Sequence, residues 1–87
     1  MNTEMKNPHL AAIIKEERKR RNLTQEHLAQ LAEVDVRTIQ RAERDGSCGA
    51  ESLMAIAEAF NRDAKDLIEE AKNARRSDRL NLNLLRI

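Results

Sequence analysis

The chain has 87 residues, 36% of them charged, yet its formal net charge is only +1. A single aromatic residue (Phe60), two glycines and one proline suit a small all-helical domain and argue against a sandwich or barrel, and the length leaves room for one domain. A balance this close to neutral excludes a general polyanion binder, one cysteine excludes an internal disulfide, and no stretch reads as a membrane span or a signal peptide.

In chain order, residues 1–7 are polar and unpatterned and form an arm whose last residue, Asn7, suits the cap of a helix opened by Pro8. Leu10, Ile13 and Ile14 give that helix a buried side. The run from Lys15 to Arg21 mixes both signs around the helix and reads mostly as a solvated face. Asn22 suits a left-handed residue at its end.

Thr24 and Asp35 each place a side-chain oxygen just ahead of a helical apolar pattern, where free amides need an acceptor. The stretch from Leu23 to Arg44 therefore reads as two short helices joined by a tight turn. Ala29 is small where the two would cross. In the second helix, at about 100° per residue, Val36, Arg37, Gln40, Arg41 and Arg44 share an arc of about 140°, while Ile39 and Ala42 point the other way. Arginine can grip guanine through two hydrogen bonds, glutamine can grip adenine, and a short apolar group can touch a thymine methyl, so the arc has the chemistry of a major-groove reader. An ordinary solvated face has the same composition. Gln25 opens the first of the two helices, where its amide and the free backbone N–H groups can meet a phosphate.

Asp45 to Gly49 supply a loop whose exposed amides either meet a phosphate or simply connect. Cys48 has no His or second Cys beside it, and His9 and His27 have no partners at ligand spacing, so both histidines read as surface residues and no metal site is expected. Leu53, Ile56, Ala57 and Phe60 form the buried stripe of a fourth helix that Asn61 can end; Asp63 caps a fifth, with Leu67 and Ile68 inward. From Asn73 the pattern changes. Leu80, Leu82 and Leu84 alternate as in a strand, whereas Leu80, Leu84 and Ile87 suit a helix; periodicity alone does not decide, the strand is slightly favoured, and a disordered end or a fragment cut from a longer protein is the plain alternative.

Ile14-Lys15 and Arg18, then Leu23-Thr24-Gln25-Glu26, Leu28-Ala29, Val34, Thr38-Ile39, Arg41 and Glu43-Arg44, followed by Leu53, the run Ile56 to Phe60, and Leu67, lie in a register that closely resembles the phage-repressor-like (Cro/repressor, XRE-type) helix-turn-helix family over roughly residues 8–72. The resemblance implies an all-α fold, a five-helix lambda-repressor-like domain at 8–72; the short C-terminal tail at 73–87, strand or helix, departs from the family pattern. It implies that the helix at 36–44 enters the major groove, with Gln25, Val36, Arg37, Thr38, Gln40, Arg41 and Arg44 meeting DNA, and that Arg18 pairs with Glu43 to tie the first helix to the reader. One position departs: where the family usually has glycine in the turn, this chain has Glu33, which a left-handed backbone would cost roughly 1 kcal/mol.

The expected function is that of a sequence-specific DNA-binding transcriptional regulator, a cytoplasmic repressor acting on a double-stranded operator. A homodimer is expected, built from the fifth helix and the leucines Leu80, Leu82 and Leu84, with its recognition helices about 34 Å apart. The competing class is an antitoxin-type interaction module whose tail engages a protein partner while its helix-turn-helix regulates its own operon. An enzyme is not expected: no Ser/His/Asp or Cys/His set, phosphate loop or metal cluster is present, and no cofactor or membrane partner is implied.

Overall fold

Short polar side chains set the first three helix starts. In the computed structural model, which describes the backbone of residues 6–84 and the side chains of residues 6–74, Asn7 Oδ1 accepts from the Leu10 N–H at 3.1 Å ahead of α1 (Pro8–Arg20). Thr24 Oγ1 accepts from His27 N–H at 3.0 Å ahead of α2 (Gln25–Ala32), and Asp35 Oδ1 from Arg37 N–H at 2.9 Å ahead of α3 (Val36–Asp45). Each bond satisfies an amide that has no partner inside its helix. The order closes with α4 (Ala50–Ala59) and α5 (Ala64–Leu84), and no strand occurs among the described residues.

Among the described residues, three non-glycine residues turn the chain out of its helices in the left-handed region: Asn22 at φ 57°, Glu33 at 58° and Asn61 at 60°. At Glu33 this geometry lets its own N–H reach the Gln30 carbonyl at 3.2 Å and the Val34 N–H reach that of Ala29 at 3.0 Å, closing the end of α2. The expected helix-turn-helix bend thus forms with glutamate in the glycine position.

The core sits where the five helices meet, α1 against α3 and α5, α2 against α3 and α4, and α4 against α5. Ile14, Leu28, Ile39, Ile56, Phe60 and Leu67 are its fully buried large side chains. Ile68, expected inward beside Leu67, is 37% exposed: neighbours on a helix lie about 100° apart, and α5 has only one packed side at this level. α5 also runs past the expected boundary at residue 72 and keeps helical backbone to Leu84, so the alternation of leucines does not produce a strand there. The side chains of Leu80, Leu82 and Leu84 lie outside the described residues, as do Ile87 and most of the N-terminal arm. Among the described residues, no helix is long and apolar enough to cross a membrane.

The charged run of α1 is less solvated than its composition suggests. Glu17 is buried, with Arg21 paired to one carboxylate oxygen and Arg62 donating to the other at 3.0 Å. Arg21 also donates to the Phe60 carbonyl at 2.9 Å and lies 4.9 Å from the centre of the Phe60 ring, while Arg62 reaches Glu70 at 2.8 Å. Burial alone would push the Glu17 carboxyl up, but the hydrogen bond from Arg21 and the charges of Arg21, Arg62 and Arg20 hold it below the ordinary carboxylate range.

A last tie joins the start of α1 to the end of α3. Asn7 N–H donates to the Asp45 carbonyl at 2.7 Å, and Gly46, at φ 74°, follows so closely that a Cβ there would stand 2.2 Å from the Asn7 carbonyl oxygen. Only glycine fits that backbone and that gap. Asp45 then accepts from the Ser47 N–H at 3.0 Å and hydroxyl at 2.7 Å, which lowers its carboxyl pKa and fixes the loop leaving α3.

Candidate nucleic-acid interface

α3 is amphipathic in the strict sense that its two sides differ in chemistry. Ile39 and Ala42 are fully buried, and Arg37, Gln40, Arg41 and Arg44 are exposed. Val36 and Thr38 are half-buried, with Val36 resting on the edge of the core. The arc expected from helical spacing therefore forms, with its apolar member partly withdrawn. Arg44 leans toward Asp45 at 3.5 Å, a contact that sequence reasoning did not anticipate because adjacent residues on a helix do not normally face each other.

The angle of α3 is set from behind. Arg18, on α1, donates Nε to Glu43 Oε2 at 2.5 Å and Nη2 to Oε1 at 3.0 Å, and its remaining nitrogen reaches the Leu23 carbonyl at 2.7 Å. Exposure of the two side chains is 12% and 4%, so the pair is largely out of water. The hydrogen bond to Glu43 outweighs burial and raises the Arg18 pKa further above its ordinary value, with the charges of Glu43 and Glu26 adding to it. A planar guanidinium bound at two points fixes direction as well as distance.

Gln25, at the first position of α2, donates Nε2 to Glu43 Oε1 at 3.2 Å. The same carboxylate thus ties α1, α2 and α3 together. A side-chain amide carries two N–H hydrogens, so this bond leaves one of them and the carbonyl oxygen available at the surface. Gln25 is thereby both brace and surface group, and the side chain it braces is Glu43. Its place at the start of the helix, three residues from a charged run, gave no signal of the bond.

Such a face presents cationic forks and an amide on α3, beside the start of α2. Those groups match phosphate oxygens and the edges of base pairs. Among the described residues, no group of His, Cys, Asp and Glu side chains is placed to hold a metal ion.

Comparison with known proteins agrees with this geometry. A family profile described as helix-turn-helix matches residues 14–67. No curated protein matches the chain in sequence. Among solved structures, the clp gene regulator ClgR from Corynebacterium glutamicum superposes with a TM-score of 0.75 at 21% identity, covering 92% of this chain and 86% of that one. A second structure of the same regulator gives 0.66 at 22% identity, over 78% and 90%. A mutant of the restriction-modification controller protein C.Esp1396I gives 0.66 at 24% identity, over 76% and 89%. At these identities the likeness is one of fold.

Proposed function

The chain belongs to the XRE-type helix-turn-helix family of DNA-binding transcriptional regulators, and from that premise we propose that it is a sequence-specific repressor that inserts α3 into the major groove of a double-stranded operator. The observation that carries this reading is the grouping of Arg37, Gln40, Arg41 and Arg44 on the exposed side of a helix whose other side is locked into the core. In this reading Arg37 and Arg41 meet base edges or adjoining phosphates, Gln40 meets a base, Val36 offers an apolar edge, and Thr38 and Arg44 flank them. Gln25 spends its second N–H on a phosphate at the start of α2.

A single recognition helix reads too few base pairs to find one site in a genome, which favours a cytoplasmic homodimer on a pseudo-palindromic operator, with two copies of α3 about 34 Å apart. The helical extension of α5 to Leu84 supplies a segment beyond the domain on which two copies can meet.

Selection of binding sites from random duplex DNA yields the operator on which the reading is tested. On that operator, Arg37→Ala and Arg41→Ala each weaken binding by about 1–3 kcal/mol where the contact is to a base, with the melting temperature unchanged. Wild-type affinity of the double variant in moderate salt would show that α3 is not the reader.

A further inference from the structure

A groove of about 460 Å³ runs between the end of α2 and α4, with Leu31, Val34 and Ala55 along it and Glu33, Glu51 and Glu58 on its rim. Leu31 is 58% exposed, and Met54, beside the groove on α4, is 62% exposed. No ion pair engages the three glutamates among the described residues. Arg62, the cation closest to Glu58 along the chain, is turned toward Glu17 and Glu70 instead. An apolar strip under an unpaired acidic rim is the complement of a basic amphipathic helix.

The chain contains such a segment. Residues 75–87 carry Arg75, Arg76, Arg79 and Arg86 against Asp78 alone, a formal +3 from four positive and one negative side chain, interleaved with leucines. α5 keeps helical backbone through Leu84, about 20 Å beyond Ala71, its last buried residue among those described. At about 100° per residue, positions 76, 80 and 84 form a stripe on the side of α5 away from positions 67 and 71. α5 packs mainly on α1 and α4. A second copy can bring its groove to that stripe.

We propose that the Arg76, Leu80 and Leu84 stripe of α5 docks in the Leu31–Met54 groove of a second copy, Arg76 and Arg79 facing Glu33, Glu51 and Glu58, and that the two chains exchange these segments reciprocally. This rests on the homodimer reading above and adds the surface that receives the tail. Reciprocal exchange is the two-fold form that closes, because each copy offers one tail and one groove. The acidic rim selects the register, and the leucines and Met54 supply the apolar burial.

Sedimentation of the full chain at high micromolar concentration and physiological salt tests the proposal, using wild type, Arg76→Glu with Arg79→Glu, Glu51→Lys with Glu58→Lys, and the chain carrying all four changes. Each reversed pair weakens the dimer by about tenfold or more, and the four changes together restore most of it. Thermal melts confirm that each variant is folded. A dimer unaffected by the Glu51→Lys, Glu58→Lys pair overturns the groove while leaving the homodimer standing, and failure of the four-change chain to recover overturns the pairing. A wild-type monomer overturns both, and leaves the groove to a basic helix of another protein.

Discussion

Two carboxylates lie almost out of solvent in this small helical domain, and they are held in different ways. Glu43 takes one arginine through both oxygens and one amide, from Arg18 and Gln25. Glu17 is met by Arg21 and Arg62, with Arg20 at 3.5 Å, and its arginines pass onward to the Phe60 carbonyl and Glu70. The first cluster joins α1, α2 and α3, which carry the exposed arginine face; the second joins α1 to the α4–α5 connection and to α5. Similar chemistry thus serves two ends: one carboxylate sets the angle of α3, the other fastens the helix that continues into the tail.

The strongest way to break that distinction is Glu43→Ala, which strands a largely buried Arg18 and costs about 3 kcal/mol of stability. It should also lower DNA affinity in the fraction that remains folded. A double-mutant cycle with Arg18→Ala measures the coupling, and a coupling near zero would remove the bracing role. Glu17→Ala should cost less, about 2 kcal/mol, because Arg20 is already in water and the partly exposed Arg21 and Arg62 can return to it. Operator affinity per folded molecule should stay at the wild-type level; a loss matching that of Glu43→Ala would erase the comparison.

Acid separates the clusters further. The Glu17 carboxyl is held below its unfolded value, so its contribution is fully present above about pH 4.3 and is lost as pH falls through the lowered folded value. Wild type should therefore lose melting temperature more steeply than Glu17→Gln between about pH 5 and about pH 3, although the variant is the less stable at neutral pH. Parallel curves would mean that Glu17 is not the group responsible. The smallest effect lies outside both clusters: Glu33→Gly relieves a left-handed non-glycine residue and should raise stability by about 0.5–1 kcal/mol, read from a denaturant midpoint. A fall would show that the Glu33 side chain contributes more than its backbone costs.

What was legible in the sequence was mostly local. Asn7, Thr24 and Asp35 act within three residues of themselves, so type and position sufficed to place three helix starts. Arg18 and Glu43 are 25 residues apart, and only the resemblance to a family joined them. Glu17 was hidden because a carboxylate among arginines looks the same in sequence whether it is solvated or enclosed, and its enclosing partner Arg62 comes 45 residues later. Ile68 was misplaced because two adjacent apolar residues cannot both face one neighbour. The leucines from Leu80 carried two periodicities at once, and the backbone follows the helical one through Leu84.

The clasp between Asn7 and Asp45 holds the start of α1 within a hydrogen bond's length of the carboxyl end of α3, an approach that only the missing Cβ of Gly46 permits. Lys6, next to the clasp, is consequently held beside the C-terminal end of α3. A small fluorophore attached there would act as a proximity reporter for whatever the exposed face of α3 binds, and a bulky purification handle in the same place would compete with the ligand it was meant to help isolate.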